Sequence, residues 1–209
     1  MKKYHSFSFF KVDPKWRWMS DLAKEESAKE VKNILTNSNI IYNTYSTLGL
    51  HADADFLLHI ITNSLENIQT SISKLYFTVF GKYILPTTIH TSTIINEQQH
   101  SKNITEQQKY ITVYTLIKKT NWYKLEKVKK NEIRKICLET IKKYNNLIFD
   151  YSISTGLSKY DIILIFKSNN ILELQSIINK LNYNIIDYMD MNSTTAIKEE
   201  IQKLIMNLG

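Results

Sequence analysis

The sequence predicts an α+β fold made of two ferredoxin-like (βαββαβ) halves in tandem, and three observations lead there. Sliding the chain against itself by 106 residues brings Tyr4 onto Tyr110, Trp16 onto Trp122, Lys24 onto Lys130 and Glu26 onto Glu132. The same offset continues through Tyr45-Ser46 on Tyr151-Ser152, Asp55 on Asp161, Leu58 on Leu164, Asn63 on Asn169 and Gln69 on Gln175, to Lys74-Leu75 on Lys180-Leu181. One register held that far marks a duplication, and a repeat decides architecture. The second observation is that both halves show strand and helix periodicities in the same order. The third is that 4 Gly and 2 Pro in 209 residues are too few for a turn-dense all-β design.

Taken in order, Tyr4–Val12 and Tyr110–Ile117 are aromatic and β-branched, as strands are. Ser20–Leu35 and Glu126–Tyr144 follow as helices. In the second, Ile133, Ile136, Cys137, Thr140, Ile141 and Tyr144 share one face at 3.6-residue spacing. Asn43–Leu48 and Leu147–Ser154 read as strands. Gly49 and Gly156 then turn the chain, one inserted residue near Thr155 bringing Gly49-Leu50 onto Gly156-Leu157. Phe56–Ile61 and Ile162–Phe166 are near-continuous apolar strands. Ser64–Phe80 and Asn169–Leu181 are helices, the first opening on a Ser N-cap and stopping at Gly81. Tyr83–Ile94 and Asn184–Met191 close the halves as strands. Two such units, with helices on one face of each sheet, can close sheet against sheet. The expected boundaries are residues 1–95 for the N-terminal half, a polar, Gln-rich linker at 96–109, residues 110–192 for the C-terminal half, and a terminal helix at 193–209. In that helix Ile197, Ile201, Leu204, Ile205 and Leu208 fall on one side of Thr194–Leu208, ready to pack on the body or on a partner subunit.

Composition narrows the class. With 43% hydrophobic and 22% charged residues the chain reads as globular. A single cysteine excludes an internal disulfide and fits a reducing compartment. Apolar runs such as Ile162–Phe166 fall far short of the roughly 18 residues of a membrane span. After Met-Lys-Lys, His5 and Lys11 interrupt the sequence and no small-residue cleavage site follows. The expectation is a cytoplasmic protein without a membrane partner. Ten Lys or Arg against three Glu in Lys118–Lys143 account for the whole net charge of +7. That field suits an anionic partner or is a solvated helix face. No Gly-rich phosphate loop, nucleophile elbow or paired-Cys motif is present, so nucleotide-binding, hydrolase and structural-zinc readings lack support. No RNP-type aromatic run is present either, which argues against nucleic acid.

Several segments then carry a family resemblance. Phe9-Phe10-Lys11-Val12-Asp13-Pro14-Lys15-Trp16-Arg17 and Tyr45-Ser46-Thr47-Leu48-Gly49-Leu50-His51-Ala52-Asp53-Ala54-Asp55-Phe56 are two of them. Tyr114-Thr115-Leu116-Ile117-Lys118, Asn121-Trp122-Tyr123-Lys124-Leu125 and Ser154-Thr155-Gly156-Leu157 are the others. Together they resemble the chlorite dismutase-like haem proteins, which include the coprohaem decarboxylases. The second segment is similar to a Gly-Leu-Arg-x-Asp-Ala-Asp-Phe pattern, with His51 in place of Arg. The third is similar to a Tyr-Pro-x-x-Lys motif without its Pro.

The resemblance implies a dimeric α+β barrel, a haem or coprohaem pocket in the C-terminal half, and a ring-like homo-oligomer, often a pentamer. It implies an oxidoreductase of peroxidase, chlorite dismutase or coprohaem decarboxylase type acting on a tetrapyrrole or another small anion. By motif match Tyr114 and Lys118 take the catalytic positions: a phenol and an ammonium serving an anionic propionate. The plainer reading makes Tyr114 a strand aromatic and Lys118 a strand-end cation. The cofactor positions fall on Trp122, Tyr123, Cys137, Thr140 and Phe149.

The family's iron ligand is a His on the helix after the Trp-Tyr motif, yet all five His (5, 51, 59, 90, 100) precede position 101. Counting without gaps from Trp122 puts Cys137 at the ligand position; aligning through Glu139-Thr140 puts Thr140 there. A thiolate can ligate haem, while a lone Cys on an apolar stripe is more often a small buried hydrophobe. Phe149, near the distal position, has no hydrogen bond to give an oxidant. A haem-free ligand-binding or assembly module is therefore the alternative. Separately, His51, Asp53 and Asp55 alternate and could face one metal ion, although Asp55 recurs as Asp161 with no His beside it. A residue kept in both copies more often serves the shared fold.

Overall fold

The computed structural model describes residues 3–96 and 108–208. Its strands are β1 (Tyr4–Val12), β2 (Ile41–Ser46), β3 (Phe56–Thr62), β4 (Ile84–Asn96), β5 (Tyr110–Lys118), β6 (Ile148–Ile153), β7 (Ile162–Ser168) and β8 (Met189–Lys198). Its helices are α1 (Asp21–Thr36), α2 (Leu65–Phe77), α3 (Thr120–Lys124), α4 (Lys127–Lys142), α5 (Ile171–Ile185) and α6 (Ile201–Asn207). Two compact units result: Met1–Thr93 with Ala196–Gly209, and Ile94–Thr195. Strand order is β4-β1-β3-β2 in the first and β8-β5-β7-β6 in the second. These orders are the same once each half is numbered from its own start, so the duplication seen in sequence is a duplication of βαββαβ topology.

Period-two alternation builds each core. In the first unit Phe10 and Val12 of β1 join Phe56, Leu58 and Ile60 of β3 beneath Ala28, Val31 and Leu35 of α1. Phe10 stacks on Phe56 with ring centres 4.9 Å apart. A 3₁₀ turn at Pro14–Trp18, opened by Asp13 accepting from the Lys15 amide, drops Trp16 into this core. The Trp16 ring meets Phe80 at 5.0 Å and its Nε1 donates to the Ile205 carbonyl at 3.1 Å. That bond seats α6, whose Ile201, Leu204, Ile205 and Leu208 complete the same core. In the second unit α3 plays the part of the 3₁₀ turn and delivers Trp122. The sequence reading placed no element at either Trp turn.

Three expectations shift. The chain from Asn184 to Met191 was expected as a strand and Thr194–Leu208 as a helix. Instead α5 runs through Asn184 to Ile185, β8 continues to Lys198, and α6 begins only at Ile201. The β-branched Thr194, Thr195 and Ile197 find strand partners there: the Thr195 and Thr112 hydroxyls meet at 2.8 Å, and Ile197 pairs with Ser46. The helix start signal sits later than apolar spacing suggests, at Glu200, whose carboxylate accepts from the Gln202 and Lys203 amides. Of the expected linker at 96–109, residues 97–107 lie outside the described residues. Finally, α2 ends at Phe77 under a Thr78 cap, short of the stop expected at Gly81.

Gly81 lies in the 3₁₀ turn Phe80–Tyr83 against the end of α2, where a Cβ would stand 2.0 Å from the Leu75 carbonyl oxygen. Neither backbone can retreat without opening the core around Phe80. Gly81→Ala is therefore expected to cost about 1–3 kcal/mol or more by overpacking, read as a lowered midpoint in urea unfolding, whereas Ala at solvent-exposed Lys82 should leave it unchanged.

Candidate functional site

The first strand of each half is clamped at its end by the duplicated aspartate. In the first unit the Asp55 amide donates to the Phe10 carbonyl at 2.8 Å, and Asp55 Oδ2 accepts the Val12 amide at 2.8 Å. Lys11 Nζ lies 2.9 Å from Asp55 Oδ1. In the second unit the Asp161 amide donates to the Leu116 carbonyl at 2.9 Å, and Asp161 Oδ2 accepts the Lys118 amide at 2.8 Å. Lys118 Nζ lies 3.5 Å from Asp161 Oδ1. Beside each clamp the chain turns through a left-handed glycine, Gly49 at φ 72° and Gly156 at φ 82°, a conformation that only Gly adopts without strain. Asp55 thus serves the fold in both copies. His51 and Asp53 sit on the same turn, and among the described residues no group of three His, Cys, Asp or Glu side chains comes together for a metal ion.

The clamp fixes which side chains of β5 meet the helices. Tyr114 and Leu116 face α4 and α5 together with Leu164 and Phe166 of β7 and Phe149 of β6. Ile133 and Ile141 of α4 and Leu174, Ile177 and Leu181 of α5 close the layer from above. Tyr114 is 1% exposed, and its hydroxyl donates to Asn182 Oδ1 on α5. Burial, and secondarily the neighbouring Cys137, push its phenol pKa well above the ordinary value, so it is a neutral donor. Phe149 stacks on Phe166 at 5.2 Å. Trp122 is buried under the Arg134 guanidinium, 5.8 Å from the ring centre. Tyr144 packs at the edge, its hydroxyl 2.8 Å from Ser176 Oγ.

The sequence-derived site residues come together only in part. Tyr114, Trp122, Thr140, Cys137 and Phe149 border one layer of the second unit, with Cys137 half-buried. Tyr123 points away, 64% exposed. Lys118 lies four residues further along β5, about 13 Å from Tyr114 at strand rise, and its ammonium is held by Asp161.

As a haem site the arrangement does not fit. Thr140 Oγ1 donates back to the Ile136 carbonyl at 2.8 Å, inside its own helix. Burial pushes the Cys137 thiol up to about 11, so it is protonated at neutral pH despite the basic residues on the same helix. Side chains of the core occupy the layer where the resemblance implies a porphyrin. No imidazole follows position 100.

The sequence reading missed two features of the first unit. One is a histidine cluster: His5 Nδ1 and His59 Nε2 lie 3.0 Å apart, and Phe7 stacks on His59 at 4.3 Å. The other is an open pocket of about 430 Å³ between α2 and the sheet, with Ser6 and Ser8 in its lining. Its signal was available in the repeat, since Ser8 stands where the other copy has Tyr114.

Two expected outcomes follow from this geometry. Asp161→Asn and Asp55→Asn each remove a charge-assisted bond to a strand-end amide and should lower stability by about 1.5–3 kcal/mol, read by denaturant unfolding. Because the Cys137 thiol stays protonated until about pH 11, its alkylation by iodoacetamide should rise steeply only above pH 9, and a midpoint near 7 would contradict this geometry.

Comparison with known proteins agrees with the architecture. The chlorite dismutase family model matches residues 24–189. Among solved structures, the chlorite dismutase from Candidatus Nitrospira defluvii in complex with imidazole matches with a TM-score of 0.88 at 15% identity, covering 99% of this chain and 94% of that one. A protein from Thermus thermophilus described as a novel heme-binding protein matches with a TM-score of 0.85 at 16% identity, covering 100% of this chain and 96% of that one. At such identity the structural likeness establishes the fold, a duplicated ferredoxin-like α+β architecture of the dimeric α+β barrel class. With the family model spanning most of its length, this chain belongs to the chlorite dismutase family.

Proposed function

We propose that this chain is a small-ligand-binding member of the chlorite dismutase family that works without a histidine-ligated haem. The observation that carries this reading is the filled layer of the second unit. Tyr114, Phe149, Phe166, Ile133, Ile141 and Leu174 pack on one another where the resemblance implies the porphyrin. Admitting a porphyrin would mean separating α4 and α5 from the sheet and re-exposing apolar surface worth about 25 cal/mol per Å². The candidate ligands support the reading further, because a back-bonded threonine and a protonated thiol are poor donors to iron. In this reading Tyr114 is a core aromatic whose hydroxyl satisfies Asn182, and Lys118 is one arm of a strand-end clamp.

A second reading, haem or coprohaem binding with oxidoreductase activity, is favoured by the family match and by the solved heme-binding protein of the same fold. Under it the cations of Lys118–Lys143 would pair with propionates, Tyr114 and Lys118 would serve the substrate, and Cys137 or Thr140 would stand at the iron. Homo-oligomerisation belongs to either reading. No helix among the described residues is long and apolar enough to cross a membrane.

Absorbance titration with haem and with coprohaem separates the two. The expected result is no saturable Soret shift at micromolar porphyrin, for the parent protein or for Cys137→Ala. A saturable band in the parent that disappears in Cys137→Ala would overturn the proposal and assign a thiolate-ligated haem.

A further inference from the structure

The first unit holds the space that the second unit has filled. On the helix-facing side of its sheet, Ser6 pairs with Thr91 and Ser8 with Ile89, so these four residues make one patch across β1 and β4. Above the patch, α2 contributes Leu65, Ile68 and Ile72 as a wall, with Glu66 and Gln69 at the rim. The pocket opens to solvent past Leu65 and Ile89, both partly exposed, and its volume, about 430 Å³, lies within the range of roughly 300–1,000 Å³ usual for small-molecule sites.

The repeat explains why the space is there. At the 106-residue offset Ile68, Gln69 and Ile72 of α2 correspond to Leu174, Gln175 and Ile178 of α5, so the two helices present similar walls. The strands beneath them differ. Ser6 corresponds to Thr112, and Ser8 to Tyr114, whose ring fills the second unit and whose hydroxyl reaches α5. In the first unit the counterpart of Asn182 is Tyr76, which packs edge-on against Phe10 rather than across to Ser8.

The polar groups describe the occupant. Ser6 and Ser8 are both buried, and their hydroxyls meet only each other, at 3.3 Å. One hydroxyl hydrogen is spent between them, and the other has no acceptor among the described residues. A buried donor in that state favours a ligand that brings an acceptor. The lining carries no Lys or Arg to receive an anion, and Glu66 stands at the mouth. Its carboxyl is held below the usual carboxylate range by the Ser64 hydroxyl and by its own amide, so it is ionised at neutral pH.

We infer that this cavity is a binding site for an uncharged small molecule with a hydrocarbon body and a carbonyl oxygen, the carbonyl taking the spare serine hydrogen and the body lying on Leu65, Ile68 and Ile72. The inference rests on the reading of this chain as a small-ligand-binding member and assigns that role to the N-terminal half. The two fail separately, because porphyrin binding is read in the Soret band and cavity occupancy in a different signal.

The test is fluorescence titration of the full chain with Nile red, an uncharged carbonyl-bearing dye, against cis-parinaric acid, a carboxylate. The variants are Ser8→Tyr, which restores the residue of the other half, and Ile72→Trp, which fills the cavity from the helix. Thermal unfolding by circular dichroism shows whether each is folded. The expected result is one saturable Nile red site in the parent, weakened at least about tenfold in whichever variants remain folded, with weaker binding of the carboxylate. Dye binding that survives both substitutions, its absence from the parent, or equal binding of the carboxylate would overturn the inference. So would a cavity closed by a second copy, seen in sedimentation as self-association that Ile72→Trp abolishes.

Discussion

Both halves depend on the register of the first strand against the third. A strand shifted by one residue sends every side chain to the opposite face, and here both faces are buried, so a slip would exchange two cores. Asp55 and Asp161 prevent it by accepting the amide two residues beyond the one that their own backbone addresses, locking strand end to strand end. The left-handed glycine turns Gly49 and Gly156 return the chain from the second strand to that clamp. With register fixed, alternate residues of β1 and β5 are committed to the helix layer: Ser6, Ser8 and Phe10 in one half, Thr112, Tyr114 and Leu116 in the other.

From that commitment the two halves diverge by a small number of side chains. The second unit places an aromatic at Tyr114 and another at Phe149, and its helices settle on them. The first unit places serines in the corresponding strand, and a cavity remains beneath α2. A gene duplication gives two copies of one scaffold, and only one of them has to keep any given pocket. A solved structure of the same fold at 15% identity shows that the scaffold persists with few residues in common.

The basic segment Lys118–Lys143 illustrates how charge and chemistry separate. Its cations raise the local potential, yet they do not make Cys137 a thiolate, because the thiol lies on the apolar side of α4 where desolvation dominates. Several of the cations are spent locally: Lys118 on Asp161, Lys129 on Glu132, and Arg134 on the face of Trp122. Exposed pairs of the Lys129–Glu132 kind contribute little to stability, so the segment is better understood as a solvated helix face on which exposed Arg134 covers the buried Trp122 ring.

The sequence by itself determined the duplication, the order of elements and the faces they bury, because 106-residue self-similarity and the periods of 2 and 3.6 are properties of the chain. Family membership was legible for the same reason, through motifs local in sequence, and so was the absence of any His after position 100. Tertiary structure alone decided what the candidate site residues touch. Lys118 and Tyr114 sit one motif apart, yet strand geometry separates them, and Asp161 and Asn182, 43 and 68 residues further on, meet the Lys118 ammonium and the Tyr114 hydroxyl. The last strand and helix were misplaced because Thr194–Lys198 carries both an apolar helical stripe and β-branched residues, and only pairing with β2 chose between them. The cavity, too, depends on which side chains stand opposite one another across a layer, and that opposition is a relation between distant segments that no local pattern records.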